Sequence, residues 1–162
     1  MVDIKKYWDT PSSILFKVLY RNQTAILKIF KSESDETWFP IALKAYGSSG
    51  AVKVLKYTDS AILMQELKPA NVVVEVTKSG NDKEATTIFC DVTRKLHKRK
   101  CGSMFLPPIL DLAKGFYKYA GLGVSIIPNY LLNKAQKIFL NLESTQKQIV
   151  VSHGDLNHFN IM

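Results

Sequence analysis

The stretch Val151–Met162 reads VSHGDLNHFNIM and holds two of the three histidines, one aspartate and two asparagines. Asp155 and Asn160 stand five positions apart within it. Phosphoryl transfer to a hydroxyl asks for such a pair: a carboxylate beside the attacking oxygen, and a side-chain oxygen nearby that can hold Mg²⁺. Gly154 permits a backbone turn beside the aspartate, and His153 can hold the loop by a side-chain hydrogen bond. A plain polar turn also uses Asp, Asn and Gly. The HGD that opens the stretch and the NIM that closes it favour the chemical reading.

The elements that must position this loop follow from periodicity. ILFKVLY (residues 14–20) and TAILKIF (residues 24–30) are rich in strand formers and are joined by the turn RNQ, so they read as a hairpin. Ala25, Leu27 and Ile29 then face one way and Ile26, Lys28 and Phe30 the other. SESDETWFPIALKAYG reads as a helix ending near Gly47, with Pro40 in its first turn or kinking it. AVKVLKY and SAILMQEL are two more strands, joined at TDS. NDKEATTIFCDVTRKLHK opens on Asn81 three residues before Glu84, a capping-box pattern, and Ala85, Ile88, Val92 and Leu96 recur at helical spacing. PPILDLAKGFYKYAG puts Ile109, Leu112, Ala113, Phe116 and Ala120 on one face. Pro128 opens a third helix at a position proline favours, with a buried stripe of Leu131, Ala135, Ile138 and Leu142. QIVVSHGD reads as a short strand running into the polar loop. Four strands with one inserted helix, then helices, then a strand make an α+β chain in two segregated parts. A cleft between a β lobe and a helical lobe is a natural ligand site.

Length and composition bound the rest. A chain of 162 residues, 46% apolar and 22% charged, suits one soluble domain with a real core. No apolar run is long enough to cross a bilayer, and MVDIKKYWD lacks a secretory h-region, so a cytoplasmic location is expected with no membrane partner. Cys90 and Cys101 are too few for a disulfide framework or a zinc site. The net charge of +8 is compatible with nucleic acid, anionic lipid or a phosphate-bearing ligand. Its densest stretch, with Arg94, Lys95, Lys98, Arg99 and Lys100, reads as the solvated end of a helix, where cations complement the dipole. No zinc-finger spacing or RNA-binding aromatic motif supports nucleic acid, so that reading ranks last.

HGDLNHFNIM resembles the catalytic loop of the aminoglycoside phosphotransferase-like kinases, H-G-D-x-x-x-x-N followed by aliphatics, which parallels H-R-D-x-x-x-x-N of protein kinases. Many relatives have His where this chain has Asn157. The resemblance makes Asp155 the catalytic base and Asn160 a metal ligand. TAILKIF is similar to the Val-Ala-Ile-Lys strand, so Lys28 would hold the ATP phosphates; a snorkelling strand lysine is the plain alternative. TPSSILFKV, IALKAYGSSGAVKVLKY and EATTIFCDVTRKLHK resemble the streptomycin kinase branch. Ser12 and Ser13 could then offer donors to phosphate, or form an ordinary Pro-Ser turn. AILMQELKPA resembles the strand and hinge that take adenine, with Gln65, Glu66 and Leu67 as hinge candidates. The branch's corresponding helix ends in Leu-His, so the resemblance makes His97 structural rather than a ligand.

From about Asp9 to Met162, the chain is thus similar to the aminoglycoside/hydroxyurea resistance kinase family, which includes streptomycin 6-phosphotransferases. The resemblance implies a protein-kinase-like fold with a β-rich N-lobe over residues 1–68 and a partial helical C-lobe over residues 69–162. It implies ATP and Mg²⁺ as cofactors, and transfer to a hydroxyl of a small molecule, a streptomycin-like aminoglycoside, in antibiotic resistance. Two departures qualify the expectation. Kinases pair the strand lysine with a helix glutamate; Trp38-Phe39-Pro40 falls where it belongs, leaving Glu36 as the substitute and Glu33 behind it. The family also carries a second metal-binding Asp downstream, and no residue here takes that role. The chain is therefore expected to be a C-terminally truncated member with little or no kinase activity as it stands. The alternative is a catalytically dead kinase-like fragment that binds nucleotide or a partner.

Overall fold

The computed structural model describes residues 4–31, 38–47, 50–98, 106–123 and 126–162. Two compact units divide the chain: Met1–Met104 with Val150–Met162, and Phe105–Ile149. The expected lobe boundary at residue 68 falls inside the first.

The larger unit is built on a five-stranded antiparallel sheet: β1 (Lys5–Asp9), β2 (Ser13–Tyr20), β3 (Gln23–Phe30), β4 (Val54–Tyr57) and β5 (Ala61–Gln65), in the order β1-β2-β3-β5-β4. β2 and β3 form the expected hairpin, paired from Ser13↔Phe30 to Tyr20↔Gln23. Arg21 and Asn22 turn it with φ of 50° and 63°, the left-handed conformation that a two-residue hairpin matching the strand twist requires. The sequence predicts the other four strands of this sheet and misses β1. Its residues KKYWD are all exposed, so it carries no alternation to detect.

Helix α1 (Phe39–Tyr46) carries Pro40 in its first turn, where the missing N–H costs no intrahelical bond, and stops at Gly47, whose φ is 63°. The earlier part of the predicted helix, with Glu33 and Glu36, lies outside the described residues. The ring of Phe39 meets Phe30 edge-on at 6.5 Å, which sets α1 over the sheet face that carries Phe30 and Lys28. On that face Lys28 stands between Leu15 and the fully buried Ile62 of the neighbouring strands.

Helices α2 (Val72–Lys78) and α3 (Asp82–His97) follow. Asn81 caps α3: its side-chain oxygen accepts the Glu84 N–H at 3.3 Å, and its amide donates to the Glu84 carboxylate at 2.7 Å. Ala85 and Leu96 are buried and Ile88 and Val92 half-buried, as the spacing predicts. Val73 and Ala85 form a core with Ile161, flanked by Val76, Ile88, Phe89, Val92 and Leu156. The final stretch of the chain is therefore seated on α2 and α3 by two of its own aliphatic side chains.

The smaller unit holds a 3₁₀ turn (Ile109–Ala113) running into α4 (Lys114–Gly121), and then α5 (Asn129–Ser144). Pro128 caps α5 rather than entering it, and its carbonyl accepts the first helical N–H groups from Leu131 and Leu132. The predicted stripes need correction. Leu131, Ile138 and Leu142 are 43%, 50% and 57% exposed. The covered side is Leu132, Gln136, Phe139 and Glu143, one residue further round, with Phe139 edge-on to Phe116 at 5.8 Å. Ile109 and Leu112 are likewise exposed and Ala113 buried. α5 bears apolar residues on more than one face, so periodicity alone does not select the packed one.

Candidate active site

The loop after Val150 is irregular. Val150 makes a single bridge, and the strand expected over QIVVSHGD does not form. What fixes the loop is a set of local anchors. Val151 is buried, and its carbonyl accepts a hydrogen bond from the buried hydroxyl of Tyr46 on α1 at 3.3 Å. Burial raises the Tyr46 phenol to about 12, which keeps it a donor. Gly154 adopts φ of 78°, a left-handed conformation that suits glycine. Leu156 and Ile161 then grip the α2–α3 core from either side of the polar residues.

Between those anchors Asp155 is exposed and tightly held. Asn160 donates its amide to the Asp155 backbone carbonyl at 2.7 Å and to carboxylate Oδ2 at 3.3 Å. Asn157 donates to Oδ1 at 3.1 Å, while its own side-chain oxygen accepts the Phe159 N–H at 2.9 Å. The Asn160 N–H closes the turn onto the Asn157 carbonyl at 3.0 Å. The five-residue spacing thus does bring Asp155 and Asn160 into contact. With its amide nitrogen committed to Asp155, Asn160 has its side-chain oxygen left as a hard donor beside a carboxylate, the donor type Mg²⁺ takes.

The Nδ1 of His153 is buried with no hydrogen-bond partner among the described residues. Burial lowers the His153 pKa, while the Asp155 charge and the Asp155 backbone beside the ring work in the other direction. The hydrogen bonds that hold the Asp155 carboxylate come from the two asparagines. Asn157, two residues after an Asp and two before the N–H it accepts, fits the local bonding habit of asparagine in turns, which was the available sequence signal.

Lys28 is half-buried on β3, with its ammonium 4.4 Å from the centre of the Phe39 ring and 5.9 Å from that of Phe30. The proposed partner, Glu36, lies outside the described residues. At the β1–β2 turn, Ser13 is 1% exposed and engaged locally: its N–H donates to Thr10 Oγ1 at 2.9 Å and its hydroxyl lies 3.0 Å from the same oxygen. The Ser12 carbonyl accepts the Lys31 N–H at 2.9 Å. This is the bonding of a threonine-tied turn, with the Ser13 N–H already used.

The hinge candidates follow β5. Gln65 ends the strand, and its N–H bonds the Lys53 carbonyl at 3.0 Å; Leu67 is half-buried. Glu66 ties three segments together. Its carboxylate meets Lys17 of β2 at 2.5 Å, Lys68 at 3.1 Å and the Thr24 hydroxyl of β3. The Lys17 and Thr24 hydrogen bonds, and then the Lys68 one, lower Glu66 to about 2, and the same contact raises Lys17. His97 is exposed in the last turn of α3, beside Arg94 and Lys95, where cations suit the helix dipole; Arg99, Lys100 and Cys101 lie outside the described residues.

The chain is similar to known proteins in fold and in sequence. A likeness of fold extends to an ethanolamine kinase of Plasmodium vivax, with a TM-score of 0.53 at 14% identity over 98% of this chain and 52% of that one. A streptomycin–ATP–APH(2″)-IIa ternary complex gives a TM-score of 0.47 at 15% identity over 86% of this chain and 52% of that one. By the likeness to the ethanolamine kinase alone, the α+β fold is protein-kinase-like. In sequence, the chain is 25% identical over 154 residues to a streptomycin 3″-kinase of Klebsiella pneumoniae, covering 94% of this chain and 55% of the relative. The chain thus spans about half the length of the curated relative it matches. No helix among the described residues is long and apolar enough to cross a membrane. The model of one family matches residues 2–162, nearly the whole chain, and by that match the chain belongs to the aminoglycoside/hydroxyurea antibiotic resistance kinases.

Proposed function

We propose that this chain carries the nucleotide-binding strands and catalytic loop of an ATP-dependent phosphotransferase. Its acceptor is the hydroxyl of a small molecule, a streptomycin-like aminoglycoside, and its setting is the cytoplasm. The observation that carries the reading is the Asp155 carboxylate, exposed yet bonded on both oxygens, with the Asn160 amide against it. Asp155 orients the acceptor hydroxyl and takes its proton as the oxygen attacks the γ-phosphorus and the bond to the bridging oxygen breaks, releasing ADP. Lys28 holds the nucleotide phosphates as a point charge. Gln65 to Leu67 receive the adenine by backbone groups, with Glu66 fixing the segment through Lys17, Thr24 and Lys68. Asn160 offers its oxygen to Mg²⁺, which when bound neutralises phosphate charge in the transition state.

The chain covers 55% of the length of the streptomycin kinase it matches, so a polypeptide of residues 1–162 assayed by itself is proposed to turn over slowly, and nucleotide binding without catalysis is the second reading. Thermal denaturation with and without Mg·ATP, run beside transfer of label from γ-³²P ATP to streptomycin, separates the two. Ligand stabilisation with slow, Asp155-dependent transfer supports the first reading. Stabilisation without transfer supports the second, and neither signal refutes both.

A further inference from the structure

We infer that Asn157 is a positioning residue for the Asp155 carboxylate, a role separate from holding the loop. This rests on the reading of Asp155 as the catalytic carboxylate. A carboxylate that must meet an acceptor hydroxyl has two soft torsions, and an exposed one is free to use them. Here each oxygen has its own amide donor: Oδ1 takes Asn157 at 3.1 Å and Oδ2 takes Asn160 at 3.3 Å. Two donors on different oxygens fix both the rotamer and the plane of the carboxylate; one would leave it a swivel. Asn160 is also bound to the Asp155 backbone at 2.7 Å, so its amide is shared. Among the described residues, Asn157 donates to the Asp155 side chain alone.

Asn157 is itself well placed to be rigid. Its oxygen accepts the Phe159 N–H at 2.9 Å, which turns the amide nitrogen toward Asp155 and fixes which end of the side chain faces it. Its carbonyl receives the Asn160 N–H at 3.0 Å. The residue is half-buried, between Leu156 on the core and the exposed Phe159. One side chain thus does two jobs that can be separated by substitution. Its oxygen closes the turn, and its nitrogen aims the base.

The separating variant is Asn157→Asp, which keeps an acceptor for the Phe159 N–H but loses the donor to Asp155. Asn157→Ser keeps a hydroxyl able to accept and to donate. The first readout needs no activity. Hα–Hβ couplings of Asp155 in the 162-residue chain should report one χ1 rotamer in the wild type and in Asn157→Ser, and averaged rotamers in Asn157→Asp and Asn157→Ala. The second is single-turnover transfer from γ-³²P ATP to streptomycin, expected to fall by about tenfold to a hundredfold in Asn157→Asp with Mg·ATP affinity unchanged. Wild-type couplings and transfer in Asn157→Asp would overturn the inference and leave Asn157 a turn residue. Unchanged transfer in Asp155→Ala would instead sink the catalytic reading, while the couplings would still decide whether Asn157 orders the carboxylate.

Discussion

Replacing Ile161 by Ala should destabilise the chain by about 2.5 kcal/mol, although Ile161 lies in an irregular segment. Its side chain is 4% exposed and packs with Val73 of α2 and Ala85 of α3. The substitution removes three carbons, each worth about 0.8 kcal/mol on burial, which gives roughly 2.4 kcal/mol from transfer alone. A residual cavity adds to this, and partial collapse of the loop subtracts, which keeps the figure near the lower end of the usual range of about 2–5 kcal/mol for such changes. At about 2–4 °C per kcal/mol for a chain of this size, the melting temperature should drop by roughly 5–10 °C. Urea denaturation followed by circular dichroism reads the same quantity as a lower midpoint at unchanged slope. Ile161→Val should cost about 1 kcal/mol, and Met162→Ala, at a side chain 55% exposed, close to nothing. If Ile161→Ala moved stability by less than about 0.5 kcal/mol, the loop would not be anchored in the α2–α3 core.

Other expectations follow from single contacts. Tyr46→Phe removes the buried donor to the Val151 carbonyl and should cost about 1–3 kcal/mol, since that acceptor is left unsatisfied; chemical denaturation checks it, and a neutral result would detach α1 from the loop. Glu66 is held at about 2 against an ordinary 4.5, so its folded pKa is depressed. Its contribution is complete above the unfolded value and is lost as pH falls through the folded one. Glu66→Gln should therefore flatten the loss of stability between about pH 4.5 and 2, read from urea midpoints at each pH; an unchanged acid limb would refute the triple contact. Lys28→Ala should weaken Mg·ATP binding at least tenfold, about 1.4 kcal/mol, by calorimetry, and equal affinity would remove Lys28 from the nucleotide site.

How much the sequence discloses depends on whether local and tertiary preferences agree. They agree in the β2–β3 hairpin and in α3, where cap, period and burial point the same way. They disagree in α2, whose run of three valines favours strand by propensity; burial of Val73 against Ala85 and Ile161 accompanies the helix instead. α5 shows a different failure, because Leu131 and Leu132 both satisfy a helical period and only packing against Phe116 distinguishes their sides. The meeting of Asp155 and Asn160 was legible because their five-residue spacing in a turn allows it. The bond from Asn157 to the same carboxylate was not, since it depends on which end of an amide faces it. The local use of the Ser13 N–H was equally hidden, because it turns on where the Thr10 hydroxyl sits.

The central claim is that Asp155 carries phosphoryl transfer from ATP to a small-molecule hydroxyl. Label transfer from γ-³²P ATP to streptomycin, with enzyme in stoichiometric amount and Mg²⁺ present, tests it most directly when wild type and Asp155→Ala are run side by side. The account predicts slow transfer by the wild-type chain and a loss of at least a hundredfold in the variant, whose fold and melting temperature stay close to wild type. Equal transfer by the two proteins, or none by either, would contradict it.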